Sequence, residues 1–297
     1  MKKLALTASL IGIFSTGYNS PALAAGTMRT PTPAACVQDR AAPLPARAAS
    51  ARAGSAFVQD ILRVRGAARD ALVAEQVLAG NMPDFLRNLI PVTLSWTPPD
   101  GARIDVTICV TPDYMAVGGD GDFVRVPMGL PAAARIAAQL GFFLPTTKMV
   151  DAIYEQALVR LAPAPMPPTA QMESTDYFLR HNRTVSQQRD KTGVRLAALT
   201  AGQKKDIVLS NRLRSKPGRV AIYGWHRQSG RPIQPLSTVH GASYADYSHG
   251  VRLVSSTAYV NGHPQPLADI LQDARLARIV NSEGPIPELD RLIDSLR

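Results

Sequence analysis

The sequence predicts an α+β fold, a mostly antiparallel sheet with flanking helices at both sequence ends. Near the start, apolar residues recur at helical spacing at Phe57, Ile61, Leu62 and Val64, then at Leu72, Val73, Val77 and Leu78. They do so again at the end, at Leu267, Ile270, Leu271 and Leu276, then at Leu289, Leu292 and Ile293. One face of a helix returns every three or four residues, which is what this spacing provides. Between the two ends lie short β-rich runs bounded by turn residues. Helices and strands that segregate along a chain in this way give an α+β arrangement.

The first helical stretch reads as one helix, or as a helix pair if Gly66 breaks it, and stops at Gly80-Asn81-Met82-Pro83. Val92 to Trp96 and Arg103 to Val110 read as a hairpin joined across Pro98-Pro99-Asp100-Gly101. Tyr114 to Val126 continues the β region through a turn rich in Gly and Asp. Asp120 and Asp122 lack the spacing and terminal glutamate of an EF-hand, so an ordinary turn is favoured over a calcium loop. Pro131 to Leu140 and Thr146 to Leu161 read as helices, the second capped by Thr146, with Tyr154 and Glu155 off or at the edge of its core-facing stripe. The run Pro163-Ala164-Pro165-Met166-Pro167-Pro168 forbids regular structure and reads as a rigid strap across one domain; a subdomain boundary near 163–170 is the alternative. Tyr177 to Thr184 suggests a short helix and Val220 to Trp225 a strand. Val251 to Val260 suggests another strand, closed by the hairpin dipeptide Asn261-Gly262.

Compartment is read from the N-terminus. Met1-Lys2-Lys3, the apolar run Leu4 to Phe14 and the small-x-small triplet Ala22-Leu23-Ala24 predict a signal peptide over residues 1–24, cleaved to leave Ala25 first in a periplasmic or secreted product. No later stretch supplies the roughly 20 apolar residues that span a bilayer. Residues 25–54, rich in Ala, Pro and Arg, have too few large apolar side chains to offset their ordering entropy and read as disordered or loosely docked; 55–297 reads as a single α+β domain. Export makes a disulfide between the two cysteines, Cys36 and Cys109, chemically available. The alternative is two thiols, with Cys109 packed as a small hydrophobe.

The chain carries a net charge of +10, of which Lys2 and Lys3 leave with the leader, so the mature product carries +8. Such a balance attracts polyanions. The arginines are scattered and accompany no nucleic-acid recognition motif, which argues against nucleic acid and for an anionic envelope polymer or glycan. There is no P-loop, dinucleotide fingerprint or c-type haem pair, so the cofactor options narrow to none or one divalent metal such as zinc.

Residues Val220 to Val254 concentrate the chemistry. Three of five histidines lie here, His226, His240 and His249, with Asp246, Tyr244 and Tyr247. One reading is metal-free acid–base catalysis: His240 or His249 takes a proton, Asp246 orients the imidazole and Tyr244 or Tyr247 assists. Lys204, Lys205, Arg227 and Arg252 would then neutralise an anionic substrate group, and Trp225, on one strand face with Tyr223, would stack on a sugar ring. A second reading pools His226, His240, Asp246 and His249 as zinc ligands. A third makes Ser243 or Ser248 a nucleophile, outside any Gly-x-Ser-x-Gly elbow. A fourth leaves these groups hydrogen-bonding within a turn-rich sheet edge. The favoured expectation is an exported hydrolase, ahead of a polysaccharide lyase, acting on a cell-envelope or extracellular polymer. The competing class is a non-catalytic periplasmic binding or scaffolding protein for an anionic glycan.

Overall fold

The structure, a computed structural model, describes Met1, Cys36 and residues 44–99 and 101–297. The predicted signal peptide and most of the 25–54 segment lie outside the described residues. Of that segment, residues 44–53 are docked: Leu44 packs on the core, Arg47 Nε donates to Asn81 Oδ1 at 3.0 Å, and the Pro45 carbonyl accepts from Arg87 at 2.6 Å.

The chain is α+β, as expected. Of the two readings of the first helical stretch, the pair is found: α1 (Gly54–Ile61) and α2 (Gly66–Leu78), divided where Gly66 adopts φ +56°. The first predicted hairpin is β1 (Ile90–Trp96) and β2 (Ile104–Val110), in antiparallel register from Ile90 opposite Val110 to Trp96 opposite Ile104. A second joins β3 (Ala116–Gly119) to β4 (Asp122–Arg125). The aspartates of its turn answer backbone donors: Asp122 accepts from Ser55 N at 2.9 Å in the first turn of α1, and Asp120 accepts from Phe85 N at 3.2 Å. They act as caps, satisfying N–H groups that a helix start leaves without partners.

Helices α3 (Leu130–Gln139) and α4 (Thr147–Gln156) follow, with β5 (Phe142–Phe143) between them. Thr146 caps α4, accepting from Met149 N at 3.3 Å. The expected continuation of this helix to Leu161 does not occur. Leu158 is 72% exposed whereas Val159 and Leu161 are buried, an alternation of period two that suits extended chain. There β6 (Val159–Arg160) runs parallel to β7 (Thr200–Ala201). The helix expected to be short, α5, extends over Thr175–Asp190, capped by Ser174 and burying Tyr177, Phe178, His181, Val185 and Arg189 on one face.

The remaining strands are β8 (Lys205–Ile207), β9 (Ile222–His226), β10 (Pro232–Ser237), β11 (His249–Gly250), β12 (Val254–Val260) and β13 (His263–Pro266). The strand β10 carries two prolines and escaped the sequence reading; it lies at a sheet edge, where a missing N–H donor is tolerated. Asn261 (φ +50°) and Gly262 (φ +87°) turn β12 into β13, as the dipeptide suggested. Helices α6 (Leu267–Gln272), α7 (Ala277–Val280) and α8 (Leu289–Leu296) close the chain. One sheet has the order β1-β2-β12-β13, with β5 also paired to β12; another has the order β10-β9-β8-β11. Helix α4 packs against both β1 and β9 and so lies between the two sheets. A continuous apolar core includes Phe57 of α1 and Leu296 of α8.

Cys36 and Cys109 are joined by a disulfide, with Cα atoms 5.5 Å apart and Tyr259 packed beside them. The bond fits an oxidising compartment. No helix among the described residues is long and apolar enough to cross a membrane.

Candidate active site

Strand β9 supplies the first element of the site. In a regular strand Tyr223 and His226 would point to opposite faces, since side chains alternate with a period of two. Gly224 has φ +105° and Trp225 φ +57°. These two consecutive left-handed residues reset the alternation. Tyr223 and His226 consequently reach the same carboxylate, Asp151 of α4: the Tyr223 hydroxyl donates to Oδ1 at 2.9 Å, and His226 Nε2 lies 2.9 Å from the same oxygen. A carboxylate only accepts, so the His226 proton facing it sits on Nε2. Trp225 is carried the other way, with its ring edge-on to Tyr247 at 6.4 Å and under the Lys205 ammonium at 5.3 Å. The expectation that Tyr223 and Trp225 share a face is therefore corrected. A non-glycine residue at positive φ costs on the order of 1–3 kcal/mol, and it occurs here beside the one histidine that meets a half-exposed carboxylate.

The Tyr154 ring stacks on His226 at 4.6 Å with 16° between planes, and its hydroxyl donates to the Arg227 carbonyl at 2.7 Å. Tyr154 is thus buried and central, contrary to the helical-wheel expectation, because α4 presents it to β9 as well as presenting its apolar stripe to β1. The Arg160 guanidinium covers the outer face of Tyr154 at 5.4 Å. Asp151, Tyr154, Arg160, Tyr223 and His226 line a cavity of about 310 Å³ together with Gln228, Ser229 and Pro232 of the β9–β10 turn. Asp151 is 41% exposed by side chain and His226 3%, so the carboxylate meets solvent and the imidazole stands behind it. Burial, with Asp151 adjacent, holds the Tyr223 phenol far above its ordinary range, so it remains a donor.

Beneath this wall lies Asp206 of β8, fully buried, its carboxyl raised to about 6 by burial against the opposing influence of Arg252. The Tyr114 hydroxyl donates to it at 2.8 Å. A Cβ at Gly224 would stand 3.5 Å from both Asp206 Oδ2 and His226 Cε1 and 3.3 Å from Val150 Cγ1. Glycine here admits the positive φ; the three contacts alone would ask only a slight shift of Val150.

The sequence-predicted residues form a second cluster on the β11 side. His240 stacks on Tyr244 at 4.1 Å, Tyr244 meets His249 edge-on at 5.7 Å, and the Tyr244 hydroxyl donates to Asp246 at 3.3 Å. Lys205 Nζ lies 3.7 Å from Asp246. The loop thus gathers His240, Tyr244, Asp246 and His249, but Asp246 and His249 are sealed at 2% and 0% exposure. Burial works to raise the Asp246 carboxyl, yet His249, Lys205 and Ser248 hold it below its usual value. Burial lowers His249 to about 4 and leaves it neutral, with both ring nitrogens unpartnered among the described residues.

Several expectations are corrected by these placements. Tyr247 turns away from this cluster, its hydroxyl engaged with Met166 of the proline run. Lys204 is buried, donating to the Tyr247 carbonyl at 2.6 Å and lying 3.2 Å from His181; burial and the nearby Arg125 lower it to about 7. Arg252 is 1% exposed and spends its guanidinium on the Thr111 and Thr200 carbonyls. Neither Lys204 nor Arg252 can reach a substrate. Trp225 is likewise buried and offers no stacking surface. Ser248 is buried and donates to Asp246 at 2.5 Å, with no imidazole receiving its proton, which removes it as a nucleophile. Among the described residues no group of three His, Cys, Asp or Glu side chains could hold a metal ion, so the pooled zinc ligands are not assembled; His226 is drawn instead to Asp151.

The sequence reading missed Asp151, Tyr154 and Arg160, which lie some 65–75 positions before His226 and carry no local motif. The local signal was Gly224 inside a strand, next to a histidine, which marks β9 as irregular but does not name its partner. Comparison of the chain with protein-family models, with curated proteins and with solved structures gave no match.

Proposed function

We propose that the chain is an exported hydrolase that cleaves a cell-envelope or extracellular polymer by acid–base chemistry at Asp151 and His226. The observation that carries this reading is the half-exposed Asp151 carboxylate holding both His226 Nε2 and the Tyr223 hydroxyl at 2.9 Å in the wall of a 310 Å³ cavity. That volume is at the small end for ligand sites and suits one ring or one short segment of a polymer.

In this mechanism Asp151 takes a proton from a water in the cavity as the water oxygen attacks the substrate. His226, stacked on Tyr154, fixes the carboxylate and supports its charge, while Tyr223 donates to the same oxygen and keeps it from rotating. The proton then passes from the Asp151–His226 pair to the leaving oxygen. Arg160, at the cavity wall, neutralises the negative charge that develops on the attacked group.

The test is turnover of fractionated envelope material. Asp151→Asn keeps the shape and both hydrogen-bonding partners but removes the base; rate losses of about 10²–10⁴-fold are typical when an acid–base group is deleted. Tyr223→Phe is expected to lose less, and Arg160→Ala to lower kcat more than it raises KM, as loss of a group that meets developing charge does. Full turnover by Asp151→Asn with an unchanged melting temperature overturns the reading. Full turnover is expected of His240→Ala and His249→Ala, because neither ring lines the Asp151 cavity, although His249→Ala removes a fully buried side chain and lowers the melting temperature.

A further inference from the structure

From Ile207 to Ala245 the chain contains no aspartate or glutamate, yet it contains Arg212, Arg214, Lys216, Arg219, Arg227 and Arg231. All six are exposed. In the fold this stretch forms β9, the edge strand β10 and the turn that leads in through Asn211–Arg214, so the six cations lie along one margin of the β10-β9-β8-β11 sheet.

Their positions along that margin are fixed by backbone contacts. Arg227 and Arg231 close the β9–β10 turn through the hydrogen bond Arg227 N to Arg231 O at 2.9 Å, next to the cavity-lining Gln228 and Pro232. At the other end of β10, Arg212 Nη1 donates to the Leu236 carbonyl at 3.0 Å, and beyond it Arg219 Nη1 donates to the Val239 carbonyl at 2.7 Å. At about 3.3 Å per residue, Arg231 to Leu236 spans roughly 17 Å. The carboxylates facing this margin are Asp151 and Glu155 at the cavity and Glu283 beside Arg212, at 3.8 Å. Arg214 and Lys216 have no carboxylate partner among the described residues.

We infer that the β10 margin binds a linear, carboxylate-bearing polysaccharide, with Arg212, Arg214, Lys216 and Arg219 holding the chain beyond the cavity and Arg227 and Arg231 guiding it in. This names the substrate class of the site proposed above and rests on that reading. Arg219, anchored through Nη1, keeps its remaining donors for a carboxylate that matches its planar fork, and Arg212, held through Nη1 and beside Glu283 through Nε, keeps Nη2. Single-stranded nucleic acid fits less well, because it relies on exposed aromatic planes for base stacking. In this stretch the Tyr223 hydroxyl is held by Asp151, Trp225 is buried and Tyr244 is covered by His240.

The experiment measures binding of the full chain to polygalacturonate, to neutral dextran and to oligo(dT). The expected result is salt-sensitive binding of polygalacturonate, none of dextran and weaker binding of oligo(dT). In the double variant R214E/K216E, affinity for polygalacturonate falls at least tenfold with the melting temperature unchanged, since both side chains are exposed. Undiminished binding by R214E/K216E overturns the inference, as does binding of dextran equal to that of polygalacturonate, or tighter binding of oligo(dT). Any of these leaves the Asp151→Asn turnover result standing. Conversely, turnover by Asp151→Asn sinks the acid–base reading without touching the binding comparison.

Discussion

At the scale of single residues, the feature with most consequence is Gly224. Its φ of +105° is a conformation that a residue with a Cβ adopts only under strain, and an added methyl would also press on Val150 Cγ1 at 3.3 Å. Gly224→Ala is expected to destabilise the fold by about 1–3 kcal/mol, as strained backbone positions do, and to reduce turnover further by displacing His226; thermal melting and kinetics on the same preparation check both. A second prediction concerns pH. The His249 pKa lies at about 4 in the fold, against an ordinary value near 6.5. The unfolded chain therefore binds the proton first as pH falls, and stability present above about 6.5 is lost on descent toward 4. The loss attributable to this group is roughly 3 kcal/mol. His249→Phe is expected to flatten the melting-temperature curve between pH 6.5 and 4, and an unaltered curve would assign the acid sensitivity elsewhere. Lys204 acts in the same direction in a higher window: lowered to about 7 from its ordinary 10.5, it withdraws stability as pH falls from 10.5 to 7.

At the scale of elements, legibility followed locality. The α1–α2 pair, the β1–β2 hairpin, the turn at Asn261-Gly262 and the Thr146 cap were readable because each depends on residues within a few positions of one another. The overlong α4 and the missed β10 failed for a shared reason. Leu161 continues the stripe Met149, Val150, Ile153 and Ala157 on a helical wheel even though it alternates with Val159 as a strand, and Pro232 and Pro235 disguise a strand that tertiary context permits only at an edge. The site fared similarly. Clustering of histidines in sequence correctly signalled that His240, Tyr244, Asp246 and His249 come together. It could not signal that Asp246 and His249 are buried, or that His226 leaves the group for Asp151, because the positive φ of Trp225 is invisible in a one-dimensional pattern. Trp225→Gly, which relieves the strain but deletes the ring between Tyr247 and Lys205, tests the balance of the two. Removing a buried Trp side chain typically costs about 3–5 kcal/mol, so a lower melting temperature is expected, and a rise would mean that strain dominates.

At the scale of the whole molecule, the Cys36–Cys109 bond closes a loop 73 residues apart in sequence. By the loop-entropy relation such a closure is worth about 4 kcal/mol. Reduction, or the paired substitution Cys36→Ser with Cys109→Ser, is expected to lower the melting temperature by several degrees while leaving turnover at 25 °C intact, because neither sulfur approaches the Asp151 cavity lining. The basic balance of the chain, +10 overall, is likewise concentrated by the fold, since the acid-free stretch from 207 to 245 becomes one margin of one sheet. Charge content was plain in the composition; its polarity across the surface required the strand order.

That same sulfur bridge has a bearing on how the protein would survive proteases. A single peptide-bond cut anywhere between positions 36 and 109 leaves both pieces covalently joined through β2, an inner strand of its sheet. Nicked molecules would therefore migrate as intact on a non-reducing gel and fall into two bands only when a thiol is added.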